Sequence, residues 1–382
     1  MHKYTKIGIL GGGQLGKMLI QEGISYPIEF YVLDPDKDCP CSEICKNFSC
    51  GSFNDFESVV NFGKDLDVVT IEIENVNTAA LFELKKLGVK VFPEPHVIEL
   101  IKDKGLQKDF YKKNNFISSE FVYLESPSIE TKPPFEFPFF LKMRTGGYDG
   151  KGVKKIFNQN DYNHSFSVAS IAEKDIKPKK EIAVIVARNS LGEIKSFPSV
   201  ESVFVKEKHL VDYLNCPAHI SESKELEAQQ IAKNVIEALK MTGILAVEFF
   251  IDDNENIWIN EIAPRPHNSG HQSIEANITS QYEQLIRCLL GLPLGYTDIL
   301  FDSAMVNLLG QENYQGEVVY QGLEKVLSQK NIFLHLYGKK TTKPYRKMGH
   351  VTIIGNSKDE ISQKVEFVKE NLKVISIKKV EN

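Results

Sequence analysis

Short apolar runs alternate with amphipathic segments through the first quarter of the chain. The apolar runs predict buried strands, and the amphipathic segments predict helices that pack on them. We expect strands at residues 6–10, 29–34, 67–73 and 89–92, and helices at residues 17–24 and 78–87. Strands that alternate with helices in this way are typical of a parallel, doubly wound sheet.

Two breaks divide the rest of the pattern. Pro93-Glu-Pro95 predicts a first boundary, and Gly291-Leu-Pro293 predicts a second one. Between them we expect helices at residues 97–114, 222–242 and 280–290, a strand-rich stretch at 121–157, and a hairpin formed by 182–187 and 194–200. The pattern therefore predicts an N-terminal doubly wound domain over residues 1–96, a central domain over 97–298, and a small α+β C-terminal domain over 299–382.

The composition is that of an ordinary globular protein. The chain has 382 residues, 42% of them hydrophobic and 25% charged, which is enough for two or three domains. Its net charge of -5 argues against a general nucleic-acid binder. We find neither a secretory signal nor an apolar stretch long enough to cross a bilayer, so we expect no membrane partner and a cytoplasmic protein.

Four of the six cysteines crowd into residues 39–50, at Cys39, Cys41, Cys45 and Cys50. Two interpretations are open, a zinc site and ordinary reduced thiols. The Cys39-x-Cys41 spacing is tighter than that of a zinc knuckle, which favours reduced thiols.

Two apolar runs near the middle of the chain carry acidic residues. Glu248 interrupts the run 245–251, and Asn260 and Glu261 follow the apolar residues 257–259. A carboxylate inside an apolar strand is costly to bury unless it is paired or binds metal. The pair Glu248 and Glu261 therefore predicts a Mg²⁺ site, with buried salt bridges as the alternative.

A proline-stiffened turn follows the second acidic run and presents Arg265, His267 and His271. One cationic and two titratable side chains beside a metal site are suited to a second, anionic substrate. Together with the acidic pair, they indicate an activation reaction driven by ATP.

Two glycine-rich loops offer backbone N–H groups to anions. The first contains Gly11, Gly13 and Gly16 between a strand and a helix, with Asp34 at the end of the next strand. This spacing fits a dinucleotide, another phosphate-bearing ligand, or a plain tight turn. The second, residues 142–152, begins with Lys142 and lacks the Gly-Lys-Ser/Thr ending of a Walker loop. We interpret it as a mobile, phosphate-binding loop.

Two weaker patterns complete the set of candidates. Glu173 and Glu181 flank a lysine-rich stretch and are placed to meet an adenine edge and a ribose hydroxyl, although a charged surface loop looks the same. The C-terminal tail carries a cluster of basic residues. This cluster would bind a monoester phosphate or, as the alternative, form a solvated loop. Its members are Lys339, Lys340, Arg346, Lys347 and His350.

Taken together, these stretches resemble the ATP-grasp ligases of purine biosynthesis over nearly the whole chain. The resemblance rests on five motifs: Gly-Gly-Gly-Gln-Leu-Gly at 11–16, Leu-Asp-Pro at 33–35, Arg-Thr-Gly-Gly-Tyr-Asp-Gly-Lys-Gly at 144–152, Asn-Glu-Ile-Ala-Pro-Arg-Pro-His-Asn-Ser-Gly-His at 260–271, and Arg-Lys-Met-Gly-His at 346–350. Formate-using sister enzymes have a similar acidic strand. Their motif ends in a sequence like Pro-His-Asp-Thr-Gly, whereas the motif of this chain ends in His-Asn-Ser-Gly-His.

The resemblance implies a three-domain ATP-grasp fold with ATP between two halves of the central domain. Lys104 and Lys142 would then contact the phosphates, Glu181 the ribose, and Glu248, Glu261 and Asn260 the ATP-bound Mg²⁺. The loop that closes over the phosphates would consist of Gly147, Tyr148, Asp149, Gly150, Lys151, Gly152 and Val153. The segment against adenine would consist of Glu173, Lys174, Asp175 and Ile176.

The resemblance also implies the reaction, a bicarbonate-dependent carboxylation of aminoimidazole ribonucleotide by way of carboxyphosphate. The ribonucleotide would be bound by Gln14, Tyr148, Asp149, Arg265, His267, Lys339, Arg346 and Lys347. Catalytic candidates are Arg265, His267, His271 and Asp149, and a homodimer is expected. The first glycine loop would then face the ribonucleotide and not NAD.

The chain departs from the family pattern in two places. It has Phe204 in Glu201-Ser-Val-Phe204, where the family usually has a histidine, and Lys174-Asp175 in place of an aromatic-apolar hinge. Three other functions stay open: another ATP-grasp ligase such as the formate-using transformylase, a nicotinamide dehydrogenase built on the first loop, and a non-catalytic nucleotide sensor.

Overall fold

A computed structural model describes residues 4–127, 132–147, 152–204 and 211–377. In the described part of the chain, no helix is long and apolar enough to cross a membrane. The elements within these ranges form four sheets, which are described in chain order below.

The N-terminal sheet is parallel and confirms the predicted doubly wound pattern. Its elements are β1 (Thr5–Leu10), α1 (Gln14–Gly23), β2 (Ile28–Asp34), β3 (Asn47–Cys50), α2 (Phe56–Gly63), β4 (Val68–Ile71), α3 (Thr78–Lys86) and β5 (Lys90–Val91). The strand order is β3-β2-β1-β4-β5. One core, with Ile7 and Ile9, packs on α1, and a second core, with Leu10 and Val69, packs on α2 and α3.

The helix predicted over residues 97–114 is in fact two helices, α4 (Pro95–Lys102) and α5 (Lys104–Lys113). Asp103 separates them in an extended conformation, with φ -112° and ψ 110°. Its carboxylate accepts hydrogen bonds from the N–H groups of Gly105 and Leu106, which caps α5. The sequence prediction missed this break because Asp103 lies inside a continuous helical pattern and the capping decides the boundary.

A four-stranded antiparallel sheet follows and forms one wall of the central region. It contains β6 (Phe121–Leu124), β7 (Phe139–Met143), β8 (Val153–Ile156) and β9 (Ser170–Lys174), with α6 (Gln159–Asn163) beside it. The order is β6-β9-β7-β8. Phe139, Leu141 and Tyr162 are fully buried in its core, so the sheet has an apolar face of its own.

A nine-stranded sheet spans both the central and the C-terminal regions. Its path is β15-β14-β10-β12-β13-β16-β20-β18, with β11 paired to β10. The central elements are β10 (Lys180–Arg188), β11 (Ile194–Ser196), β12 (Val200–Phe204), β13 (Val211–Cys216), α7 (Glu222–Leu239), β14 (Gly243–Ile251), β15 (Ile257–Ala263), α8 (Ser273–Ala276) and α9 (Gln281–Leu290).

The C-terminal elements complete this sheet and add a small one. They are β16 (Asp302–Leu309), β17 (Gly316–Gln321), α10 (Leu323–Leu327), β18 (Ile332–Leu336), β19 (Thr341–Thr342), β20 (Lys347–Gly355), α11 (Lys358–Asn371) and β21 (Lys373–Ser376). The small sheet has the order β19-β17-β21. Because β13 pairs with β16, the C-terminal strands continue the central sheet. The division at residues 96 and 298 stays a prediction, and its first boundary falls inside α4.

Three stacked imidazole rings join the central and C-terminal regions. The ring of His350 lies 4.7 Å from that of His271 and 4.5 Å from that of His335, between ring centroids. The hydroxyl of Tyr337 is 3.1 Å from Nδ1 of His350, and Nε2 of His335 is 2.7 Å from Oε1 of Glu275. The stack therefore ties β18 and β20 to the segment that follows β15.

The predicted catalytic role of His271 stays a prediction, and the structure places the residue inside this stack. Its side chain is buried, and Nδ1 lies 3.0 Å from the Tyr282 hydroxyl and 3.2 Å from Nε2 of Gln281. Burial lowers the pKa of His271 well below 6.5, and nearby His267 adds to this shift. Burial does the same to the pKa of His350, so both rings are neutral parts of a domain joint.

We predict that acid weakens this joint. The lowered pKa values mean that, below pH 6.5, the unfolded chain binds protons at His271 and His350 that the folded protein excludes. Stability therefore falls as pH drops, by up to about 1.4 kcal/mol per pH unit for each ring. We expect the thermal midpoint Tm, followed by circular dichroism from pH 7.5 to 5, to fall less in His350→Phe than in the wild type. The exposed control His96→Gln should keep the wild-type slope. Identical slopes in all three proteins would contradict the neutral stack.

Candidate functional site

Two acidic residues lie side by side on neighbouring strands, as the sequence predicted. Glu248 of β14 is the direct partner of Glu261 of β15, and the register shifts just beyond them, so that Phe249 pairs with Ile259. Asn260 is thus the extra residue of a β-bulge. Without the bulge, Asn260 and Glu261 would point to opposite faces of the sheet; with it, both are half-buried beside Glu248.

A third carboxylate shares this face. On β10, Glu181 pairs with Phe250, and Ala183 pairs with Glu248, so the alternation of the strand turns Glu181 and Glu248 to the same side. Burial raises the pKa of Glu181 to about 7. Burial and the charge of Glu261 raise the pKa of Glu248 to about 7 as well. These carboxylates are crowded, and a cation would relieve their repulsion.

The opposite wall, formed by the four-stranded sheet and α5, is positively charged. Lys142 of β7 has its Nζ 3.1 Å from Oε2 of Glu173, and Nζ of Lys108 is 3.3 Å from the same oxygen. The hydroxyl of Ser119 donates to that carboxylate at 2.8 Å. Burial acts to raise the pKa of Glu173, but the charges of Lys142 and Lys108 outweigh it and hold this pKa at about 2.

The carboxylate of Glu173 is buried between two lysines. The expected contact of this residue with adenine stays a prediction. Lys174, Asp175 and Ile176 follow it at the end of β9, where Asp175 pairs with Lys155 at 2.8 Å. Their backbone groups remain the part of the predicted adenine segment that can meet a base.

Direct contacts connect the two walls. Nζ of Lys104 forms an ion pair with Oε1 of Glu261, and Nζ of Lys142 donates to Oδ1 of Asn260 at 3.1 Å. Nδ2 of Asn260 lies 3.4 Å from Oε2 of Glu248. A narrow cavity runs between the walls, lined by Lys104, Gln107, Lys108, Tyr111, Lys142, Glu173, Asn260 and Glu261.

The second glycine loop begins at Lys142, which lines this cavity. Tyr148, Asp149, Gly150 and Lys151 lie outside the described residues, so their predicted roles are carried forward as proposals. Gly147, Gly152 and Val153 flank them, and Gly152 accepts a hydrogen bond from the N–H of Met143 at 2.8 Å. The φ of +80° at Gly152 favours glycine at this turn. Phe204, at the expected histidine position, ends β12 beside residues 205–210, which are also outside the described part.

The turn after β15 links the acidic face to the N-terminal region. Nε of Arg265 lies 2.8 Å from Oε1 of Glu74, and Nε2 of His267 lies 3.4 Å from Oε1 of Glu248. Nδ1 of His267 is 2.8 Å from the hydroxyl of Ser269, which orients the ring. Both predicted residues therefore lie at the border between the acidic face and the first glycine loop.

The first glycine loop directs its amides at protein carboxylates. The N–H of Gly12 donates to Asp34 at 2.7 Å, and that of Gly16 donates to Glu72 at 2.6 Å. Burial raises the pKa of Glu72 to about 7, although the amides of Gly16 and Gly13 oppose this shift. A carboxylate thus occupies the helix N-terminus where a dinucleotide would place its pyrophosphate, which disfavours the NAD interpretation.

Sequence reasoning missed Glu72 as a functional candidate. It lies 56 residues from Gly16, and no local motif connects the two. Gln14 begins α1 in the same loop, so Gln14 and Glu72 are brought together by the parallel pairing of β1 and β4. The alternating strand pattern, which predicts that pairing, was the one signal available for Glu72.

The basic segment of the tail contacts the N-terminal region, where Nζ of Lys340 lies 2.8 Å from Oε1 of Glu43. Lys17 of α1 donates to the carbonyl of Leu336 at 3.0 Å. Lys339 donates to the carbonyl of Lys347 at 2.8 Å, and Arg346 donates to the carbonyl of Thr341 at 2.7 Å. The predicted ribonucleotide residues of the first loop and of the tail therefore belong to adjoining surfaces.

The donor set of the acidic face fits Mg²⁺. Glu248, Glu261 and Asn260 supply carboxylate and amide oxygens, which this hard cation prefers. In the described ranges no group of three or more His, Cys, Asp or Glu side chains is placed to hold a metal ion. Over the same ranges, the cysteines at 39, 41, 45 and 50 are free thiols, and the first three are buried.

The chain matches three known domain families in sequence order. Residues 4–102 match the ribonucleotide synthetase preATP-grasp domain, residues 109–282 the ATP-grasp domain, and residues 303–364 the phosphoribosylaminoimidazole carboxylase C-terminal domain. These matches agree with the predicted fold class and with the order of its parts.

Two names recur among the curated relatives. The phosphoribosylaminoimidazole carboxylase of Ogataea methanolica is 35% identical over 95% of this chain and 68% of its own length. The share is 66% for the carboxylases of Candida albicans and Saccharomyces cerevisiae, so the chain spans about two thirds of these relatives. The N5-carboxyaminoimidazole ribonucleotide synthase of Staphylococcus aureus is 35% identical over 94% of both chains.

Solved structures agree with these relatives. The crystal structure of N5-carboxyaminoimidazole ribonucleotide synthetase from Thermotoga maritima is similar with a TM-score of 0.90 and 40% identity, covering 97% of this chain and 99% of that one. The Aspergillus clavatus synthase, in complex with ADP and 5-aminoimidazole ribonucleotide, gives a TM-score of 0.86 and 31% identity over 97% and 99%. The chain therefore belongs to the N5-carboxyaminoimidazole ribonucleotide synthase family of ATP-grasp ligases.

Proposed function

We propose that this protein carboxylates the exocyclic amine of 5-aminoimidazole ribonucleotide. ATP and bicarbonate are consumed, and N5-carboxyaminoimidazole ribonucleotide, ADP and phosphate are formed, as a step of purine biosynthesis. The observation that carries the proposal is the cleft in which the carboxylates Glu248 and Glu261 face the lysines Lys104 and Lys142. Its support from relatives is the Aspergillus clavatus enzyme, which is similar over nearly its whole length and binds ADP and the ribonucleotide.

The nucleotide lies in this cleft. Lys104 and Lys142 contact its phosphates, and the loop over residues 147–153, which includes Tyr148, Asp149, Gly150 and Lys151, closes over them. The backbone of residues 173–176 meets adenine. Glu181, a half-buried carboxylate on the same sheet face as Glu248, accepts hydrogen bonds from ribose hydroxyls.

Glu248, Glu261 and Asn260 would hold Mg²⁺ together with the phosphates. The ion would supply neutralisation of the charge that develops during phosphoryl transfer. Before it can do so, Lys104 has to release Glu261, with which it is paired in this structure. A phosphate group offers Lys104 an alternative anionic partner, so the lysine can move from the carboxylate to the nucleotide.

The ribonucleotide lies between the N-terminal loop and the tail. Gln14 and Tyr148 line the sugar side, and Lys339, Arg346 and Lys347 bind the monoester phosphate. Arg265 and His267, at the border of the two substrate regions, steady bicarbonate or accept the amine proton. Asp149 is the further candidate for the proton transfer.

The chemistry proceeds in two steps. A bicarbonate oxygen attacks the γ-phosphorus of ATP, ADP leaves, and carboxyphosphate forms. The amine of the ribonucleotide then bonds to the carboxyl carbon, directly or after release of CO₂, while phosphate leaves and the amine gives up a proton. Because carboxyphosphate hydrolyses readily, the closing loop has to exclude water from the cleft.

Two further assignments belong to the proposal. The free thiols at positions 39, 41, 45, 50, 216 and 288 are compatible with a reducing cytoplasm. A homodimer is expected from the resemblance to the family.

The first prediction of the proposed function concerns the substrates. We expect ADP release from ATP and Mg²⁺ to require bicarbonate and to rise strongly when aminoimidazole ribonucleotide is added. Formate in place of bicarbonate should give only background release, because the sequence His-Asn-Ser-Gly-His at 267–271 differs from that of the formate-using enzymes. A coupled assay measures ADP release under all three conditions: with bicarbonate, with added ribonucleotide, and with formate in place of bicarbonate. Activity with formate and glycinamide ribonucleotide would identify the sister reaction instead.

The second prediction concerns Glu261. Glu261→Gln removes a charged oxygen ligand and the partner of Lys104, and we expect ADP formation to fall by roughly 10²–10³-fold. The matched control Glu255→Gln changes an exposed carboxylate in the turn between β14 and β15 and should keep full activity. Ordinary turnover in Glu261→Gln would remove this residue from the metal site.

The third prediction concerns Arg346. Arg346→Ala should raise the KM for the ribonucleotide by roughly 30–160-fold, equivalent to about 2–3 kcal/mol of binding free energy, because one charged phosphate contact is lost. The KM for ATP should stay nearly unchanged. Lys330→Ala, at an exposed position of the same C-terminal region, serves as the control. Equal effects on the two substrates would count against phosphate binding by Arg346.

A further inference from the structure

Lys108 is a buried cation that the sequence analysis did not select. It lies on α5 one turn after Lys104 and one turn before Tyr111, so all three line the same side of the helix and the same cavity. Its side chain is 2% exposed. Nζ donates to the Ser119 hydroxyl at 2.7 Å and lies 3.3 Å from Oε2 of Glu173.

Glu173 is shared by two lysines. Lys142 approaches the same oxygen at 3.1 Å, and the exposed fractions of the Lys108, Lys142 and Glu173 side chains are 2%, 11% and 7%. Two buried ammonium groups on one carboxylate leave one net positive charge in the cluster. The nearest other anions, Glu261 and Glu248 on the facing wall, act on Lys142 across the cavity, so an anion that enters the cavity can replace them as its partner.

The positive charge of the cluster lies on the side of the cavity that faces the acidic wall. Lys142 also donates to Asn260 at 3.1 Å, at the base of the acidic face, and Lys104 is paired with Glu261 on the same side of the cavity. If Lys108 were absent, Glu173 would neutralise Lys142 alone, and the cluster would carry no net charge.

We propose that Lys108 is a positioning residue for the nucleotide phosphates: by sharing Glu173 with Lys142, it leaves one positive charge on the cavity wall for the phosphate groups. This proposal rests on the proposed function, because it assigns the phosphates to this cavity. Lys108 acts through Glu173 and Lys142 and contributes to ATP binding more than to the bond-forming steps.

The electrostatics of the cluster supply an independent readout. Burial lowers the pKa of Lys108 to about 8; Glu173 opposes this shift, while Lys142 and Lys104 add to it. Above that pH, Lys108 is largely neutral in the free protein, so tight binding of the phosphates is coupled to uptake of a proton by the lysine. ATP binding should therefore weaken as pH rises through about 8, with proton uptake that calorimetry detects as a dependence on buffer.

The test is a charge-rescue experiment on the full chain. Lys108→Met removes the cation and should raise the Kd for Mg·ATP by roughly 10–100-fold, as expected for a lost charged interaction, with a smaller change in kcat at saturating ATP. The double variant Lys108→Met/Glu173→Gln removes the anion too, which returns one net charge to Lys142, and should recover most of the affinity. Lys112→Met, exposed on the same helix, is the control.

Each outcome decides the question. Recovery in the double variant supports the charge-sharing role, because a purely structural defect would not be repaired by changing a second buried residue. A double variant that binds ATP no better than Lys108→Met, or a single variant with wild-type affinity, overturns the proposal. If the variants do not fold, wild-type binding without proton uptake between pH 7.5 and 9 overturns it as well. Wild-type protein that fails to bind ATP at all would instead refute the proposed function.

Discussion

The matching of charge across one cleft is the constraint on which the rest of this structure depends. Carboxylates on the nine-stranded sheet and lysines on the four-stranded sheet and α5 would each be costly to bury alone. Contacts such as Lys104 with Glu261 and Lys142 with Asn260 hold the two walls together. A nucleotide with its metal ion brings both signs of charge, so it can replace these contacts group by group.

The β-bulge at Asn260 determines which side chains lie on the acidic wall. A regular β15 would turn Asn260 away from Glu261, and the bulge places both beside Glu248. The same wall continues to Glu181 through the pairing of β10 with β14. One strand register therefore sets the geometry for both the phosphate end and the ribose end of the proposed nucleotide site.

The second substrate region depends on contacts between distant parts of the chain. Arg265 reaches Glu74, Lys17 reaches the carbonyl of Leu336, and three histidine rings stack across the joint between the central sheet and its C-terminal extension. Because these contacts fix the N-terminal loop against the basic tail, the proposed ribonucleotide pocket is set by the packing of three regions together.

Much of the fold could be predicted from the sequence, and the failures have physical reasons. Apolar runs and their spacing predicted the parallel sheet, and the motifs around Glu248 and Glu261 predicted the acidic pair. The break at Asp103 was missed, since a capping carboxylate decided it inside a helical pattern. The burial of His271 was not predicted, because nothing in a motif reveals whether an imidazole is buried.

The sequence by itself determined the order of strands and helices, the family, and the residue types that face an anion or a metal, because periodicity and short motifs are local. Tertiary structure alone decided that Glu72 accepts a hydrogen bond from the N–H of Gly16. It also decided that Glu173 forms ion pairs with both Lys108 and Lys142. Those pairings join residues far apart in the chain, and their energies arise only when burial removes water from both partners.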